Sequence, residues 1–208
     1  MITREEFNDA LAELINVGVG RAASSLSAMV NERIELSVPR VVTIPHADIN
    51  AHLNLDHDIG LKDEVAVVQQ AFTGKVGGAA SILFPVESAR KLVGLLIGGT
   101  LSDEELDLER EAALTEVGNI LINGVMGTIG NIIGVEIRYH LPEYLECRAD
   151  ELPQVFQERD LMLAVVLIAI SGQEIRGHLV LLFDIPSMDN LGAIIEEMTR
   201  GSDNNPHA

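Results

Sequence analysis

Apolar residues recur at every third or fourth position early in the chain: Phe7, Leu11, Leu14, Ile15, Gly18, Ala22 and Leu26. That spacing predicts one long amphipathic helix running through Val30. Thr3 with Glu6 forms a capping box at its start. Asp9, Glu13, Asn16 and Gly20 fall on one stripe of that helix, away from the core. Ile34–Ile44 alternates as a strand, and Pro39 within it suits an edge or a bulge. Residues 46–62 read as irregular. Val65–Phe72 and Val76–Phe84 predict a hairpin around Thr73-Gly74. Gly77-Gly78, inside an apolar run, marks a bulge or a close backbone approach. Glu87–Ile97 is helical and stops at Gly98-Gly99.

The pattern then starts again. Residues Thr100–Asp103 form a join. Acidic residues from Asp103 to Glu111 open a second long helix, where they oppose its positive end, and the helix runs to Ile133. A strand region over Val135–Tyr139 follows. Leu161–Ile170 and Ile175–Phe183 predict a second hairpin around Ser171-Gly172-Gln173, and Ser187–Met198 a last helix. The polar segment Gly201–Ala208 is expected to be disordered.

The two halves match in more than element order. Glu13 and Asn16 precede Pro39; Glu116 and Asn119 precede Pro142. The Glu-to-Asn spacing is 3 and the Asn-to-Pro spacing 23 in both copies, at an offset of 103 residues. Pro makes up only about 5% of residues in ordinary proteins, so its return at a set position twice argues for internal repetition. Gly78–Phe84 and Gly177–Phe183 correspond at an offset of 99. The expected fold is α/β (α+β): an internally duplicated, pseudo-twofold domain with an antiparallel central sheet and two long helices on one face. Residues 1–102 and 103–200 would be its halves, sharing one core, with 201–208 as a tail.

Composition narrows the function. The chain has 208 residues, 47% of them hydrophobic, and no Trp. Leu, Ile, Val and Ala must therefore do the packing. The longest apolar stretch, Leu161–Ile170, is too short to span a bilayer, and the first residues do not read as a signal peptide. The net charge of −18 repels nucleic-acid phosphates and anionic lipid. Cys147 is the lone cysteine, which excludes an internal disulfide framework and fits a cytoplasmic home. The six His are scattered, and Asp56-His57-Asp58 reads as a polar loop, so no metal site is expected. Exposed Asn is a poor interior helix former, which tilts Asn16 and Asn119 toward function.

The twice-written pattern Asp/Ser-x3-Glu-x2-Asn-x22-Pro resembles the CheC–CheX–FliY phosphatases of chemotaxis. Asp9, Glu13, Asn16 and Pro39 fit it fully. Glu116, Asn119 and Pro142 fit it with Ala112 at the first position. Two motifs in one chain favour the CheC type, for which a monomer is sufficient. The resemblance implies hydrolysis of the aspartyl phosphate of a CheY-like response regulator, with Glu13, Asn16, Glu116 and Asn119 as the working residues. It also implies that Mg²⁺ comes with the regulator and that the chain needs no cofactor of its own. Asp9 would touch the same partner surface. Asp189 and Asn190, near the start of the last helix, are candidates for contact with the deamidase CheD. The rival expectation is a binding module without catalysis, directed to CheD or to the flagellar switch.

Overall fold

The computed structural model describes residues 3–37, 40–44, 64–98, 103–155, 161–170 and 175–203. Helix α1 spans Arg4–Val30. The capping box sets its start: the Glu6 N–H donates to Thr3 Oγ1 at 3.2 Å, and the Thr3 N–H to Glu6 Oε2 at 2.7 Å. The bonds from the Thr3 backbone and hydroxyl hold the Glu6 carboxyl below the usual carboxylate range. Asn31, at a φ of 54°, closes the helix in the left-handed conformation that Asn tolerates.

Strand β1 (Ile34–Leu36) and strand β2 (Arg40–Ile44) replace the single strand expected over Ile34–Ile44. Both pair antiparallel with β7 (Leu161–Ile170). Leu36 faces Ile168 and Arg40 faces Val165, so the register steps by one residue between the two strands. An extra residue on one side of a ladder is the signature of a bulge. Pro39 and the segment 46–62, with its Asp56-His57-Asp58 run, lie outside the described residues.

Strand β3 (Glu64–Gly74) and strand β4 (Gly78–Pro85) form the first hairpin. Its turn lies later than expected, at Lys75–Gly77, because Phe72, Thr73 and Gly74 stay extended to pair with β5 (Ile137–Tyr139). At Gly78 a Cβ would collide with the Leu182 carbonyl oxygen, which is the close approach the sequence signals. Helix α2 (Val86–Ile97) ends at Gly98, whose φ of 67° is left-handed.

Helix α3 spans Asp103–Ile133. The strand region expected after it is β5, and a further strand, β6 (Glu143–Arg148), lies beyond Val135–Tyr139; both pair with β3. The same one-residue step recurs: Tyr139 faces Phe72 and Glu143 faces Gln69. Pro142, half-buried, lies in that step, where a residue without an N–H removes no ladder bond. One helical turn, Leu152–Val155, precedes β7. Strand β8 (Ile175–Phe183) completes the second hairpin with β7.

Helix α4 (Ile185–Asp203) is longer at both ends than Ser187–Met198. Asp184 caps its start, accepting from the Ser187 N–H at 2.8 Å, and Pro186 is tolerated in a first turn. Gly201–Asp203 are therefore helical, correcting the expectation of disorder there. One Gly costs a helix only about 1 kcal/mol, too little to end it by itself.

The eight strands make one antiparallel sheet in the order β1-β7-β8-β4-β3-β5, with β2 also on β7 and β6 also on β3. Strands from the first part of the chain thus edge the second hairpin, and strands from the second part edge the first. The helix-facing core joins Leu11, Ile15, Ala22 and Leu26 of α1 to Val117, Leu121 and Val125 of α3 and to Ile82, Leu181 and Phe183 of the sheet. Phe72 meets Phe183 edge-on at 5.9 Å. Residues Glu109–Ile133 of α3 are long and apolar enough to cross a membrane by length and composition alone. Here the apolar face of that stretch is buried in the core.

Candidate active site on the two long helices

Helices α1 and α3 touch closely because of small residues. A Cβ on Gly18 would lie 2.8 Å from the Val125 carbonyl oxygen, and one on Gly124 would lie 3.2 Å from Ala22 Cβ. Farther along, residues Leu14 and Val17 of α1 share a groove with Ile132 of α3. The contacts advance along α1 as they retreat along α3, so the helices run antiparallel.

With the core faces of both helices turned to each other and to the sheet, their polar stripes face outward. Asp9 and Glu13 are exposed and Asn16 is half-buried. On α3, Glu116 is exposed and Asn119 half-buried, and Ala112 is exposed. Each carboxylate thus stands at the surface, one helical turn before a partly sheltered carboxamide. The helix contacts set Asn16 and Asn119 on either side of the crossing. Their separation is about 15 Å along the helix axes, counting about 1.5 Å per residue. No single phosphoryl group can meet both.

The two carboxamides differ in their bonding. Among the described residues, Asn16 makes no side-chain hydrogen bond. Asn119 Oδ1 accepts from Asn123 Nδ2 at 2.5 Å. Asn123 was not singled out from the sequence. The signal was there, since it lies four residues after Asn119 on the same stripe.

An open groove of about 290 Å³ adjoins Glu13. Its other walls include Leu14, Val17, Ile132, Ile195 and Met198, so it is almost wholly apolar. Val17 and Met198 are 39% and 40% exposed, high for apolar side chains beside a polar stripe.

At the far end of α3, Arg110 anchors the helix to β6. Its Nε donates to Tyr144 Oη at 3.2 Å and its Nη2 pairs with Glu146 Oε1 at 2.6 Å. The Tyr144 hydroxyl donates to Glu146 as well. Burial, then the bond to Glu146, pushes the Tyr144 phenol up to about 12, with Arg110 pulling the other way. The half-buried Cys147 thiol is pushed up by burial, then by Glu151 and Asp150, which disfavours the reactive thiolate. Among the described residues, no three His, Cys, Asp or Glu side chains group to hold a metal.

Both α4 candidates, Asp189 and Asn190, are exposed. Asn190 Nδ2 donates to the Lys75 carbonyl at 2.9 Å, tying α4 to the β3–β4 turn.

No protein-family model matches the chain. Individual proteins do. The CheY-P phosphatase CheC of Bacillus subtilis is 25% identical over 199 residues, 90% of this chain and 93% of that one. Thermotoga maritima FliY superposes with a TM-score of 0.74 at 17% identity, over 95% of this chain and 99% of that chain. The chain is similar in sequence and in fold to proteins of the CheC–CheX–FliY family. The CheX protein in a CheX–CheY–BeF3–Mg²⁺ complex from Borrelia burgdorferi shares the fold of this chain. Its TM-score is 0.56 at 19% identity, over 81% of this chain and 96% of that chain.

Proposed function

We propose that this protein is a phosphatase that accelerates hydrolysis of the aspartyl phosphate on a CheY-like response regulator. The carrying observation is the pair of outward-facing Glu-x-x-Asn sets on two packed helices. The family supports the reading, since the Bacillus relative is named a CheY-P phosphatase and the CheX neighbour is bound to CheY.

The chemistry asks little of the phosphatase. An aspartyl phosphate is already activated, and the regulator brings Mg²⁺ with it. What remains is to aim a water in line and hold it there. A carboxamide is suited to this, because its oxygen accepts from the water while its N–H donates to a phosphoryl oxygen. Asn does not titrate, so it orients the water rather than deprotonating it. Glu13 and Glu116 pair with a Lys beside the regulator's phosphoryl group, which steadies docking. Asp9 adds a contact at the first site, and the groove beside Glu13 offers the regulator an apolar surface. The separation of the two Asn side chains gives each site its own phosphoryl group.

A monomer working in the cytoplasm suffices for this reading. CheD remains a partner proposed from the resemblance, with exposed Asp189 and Asn190 as the candidate contacts. The alternative, a binding module for CheD or the flagellar switch without catalysis, predicts partner binding with no change in the rate of regulator dephosphorylation.

The test is the double variant Asn16→Ala with Asn119→Ala. It should lose all acceleration of regulator dephosphorylation while keeping the wild-type circular dichroism and melting curve. Decay at the wild-type rate would remove the water-orienting role.

A further inference from the structure

The bond from Asn123 to Asn119 has no counterpart on α1. The residue four places after Asn16 is Gly20, which is exposed and has no side chain to offer. We propose that Asn123 is a positioning residue that presets the Asn119 carboxamide, and that Gly20 leaves Asn16 without such a device. The inference rests on the catalytic reading above.

An unrestrained Asn samples several χ1 wells and a broad χ2, and only a small part of that range aims a water. The bond from Asn123 Nδ2 to Asn119 Oδ1 fixes both torsions and settles which end of the amide is oxygen. It leaves the working atoms in place. A carbonyl oxygen has two lone pairs, so one takes Asn123 and the other remains for water. Asn119 Nδ2 stays available for a phosphoryl oxygen.

Asn123 carries a cost that the fold does not require. Its Oδ1 is buried without a hydrogen-bond partner among the described residues. A buried carbonyl left unmatched destabilises a protein, and such local violations collect at functional sites. An apolar residue at this half-buried position would avoid the cost and lose the bond to Asn119.

The device should be transferable. A Cβ on Gly20 meets nothing within 4 Å, so the position is open to a larger side chain. Asn also outranks Gly as a helix former, so the helix gains by the change.

The experiment isolates each site. In an Asn16→Ala background only the second site works; there, Asn123→Ala should lower kcat about three- to tenfold with KM unchanged, the scale of one unrestrained side chain. Asn123→Asp, which can accept but not donate, should fail in the same way. In an Asn119→Ala background only the first site works; there, Gly20→Asn should raise kcat by a similar factor. The positioning role is overturned if Asn123→Ala leaves kcat unchanged, or Gly20→Asn fails to raise it, while Asn119→Ala still abolishes second-site turnover. If Asn119→Ala leaves second-site turnover intact, the catalytic reading falls and the positioning role with it. A gain at Gly20 cannot come from a merely structural role of Asn123, since it is read on the other helix.

Discussion

At the α1 site, Glu13 and Asn16 stand between Asp9 and Gly20, and Glu13 borders an apolar groove; at the α3 site, Glu116 and Asn119 stand between Ala112 and Asn123. The first site has more to hold a partner and less to hold its own carboxamide. The second reverses this. On the proposed function, two such sites would divide the work differently, one favouring docking and the other favouring turnover. Their seats differ too. Gly18 lets α1 close against the backbone of α3, whereas Gly118 lets α3 close against the Val68 side chain of β3.

The largest effect expected from breaking this symmetry is at those seats. Gly18→Val drives a branched side chain into the Val125 carbonyl, which cannot rotate away. Overpacking of this kind costs about 1–3 kcal/mol, and a clash with helix backbone belongs at the top of that range. Gly118→Ala meets a side chain instead and should cost less. Urea unfolding of both variants ranks them; equal losses would mean that the two helices are seated alike.

A smaller effect is expected at the groove. Val17→Ser removes exposed apolar surface worth about 1 kcal/mol in a buried contact. In the Asn119→Ala background it should raise KM for the phosphorylated regulator several-fold and leave kcat unchanged. In the Asn16→Ala background it should change neither. A rise in both backgrounds would show that the groove does not belong to the first site.

The smallest effect concerns the anchor of α3. The Tyr144 phenol is raised from 10 to about 12 in the folded state. A folded state that keeps its proton longer loses stability as pH rises between those values, and below pH 10 the contribution is fully present. The chain has two tyrosines, and burial raises Tyr139 as well. Absorbance at 295 nm should therefore develop late, with Tyr144 half-ionised only near pH 12. Tyr144→Phe should leave first-site turnover untouched. Early ionisation would show that Tyr144 is not sheltered on β6.

Most of the element order was legible because it rests on local rules. The apolar spacing and capping box gave α1, the Gly98 stop gave the end of α2, and the apolar runs gave both hairpins. Glu13, Asn16, Glu116 and Asn119 were singled out by a motif at matched spacing, and their helices and outward-facing stripes followed from the apolar pattern. What escaped depended on pairing between distant segments. The one-residue register steps opposite β7 and β3 exist only once those strands are neighbours, so β1 and β2 read as one strand and β6 lay beyond the strand read over Val135–Tyr139. The late β3–β4 turn likewise follows from β5. Asn123 escaped because the motif draws attention to what repeats, and its counterpart is Gly20. Asn190 is at the surface as read, but nothing in its neighbourhood signals its bond to the Lys75 carbonyl, 115 residues away in the chain.

The most direct measurement is phosphate release from a phosphorylated CheY-like regulator, followed with and without this protein in excess Mg²⁺. The account predicts faster release with the protein, and none from a small phosphoester under the same conditions, because the acylphosphate and its metal belong to the regulator. Regulator decay unaltered by the protein, or turnover of the small ester, would contradict it.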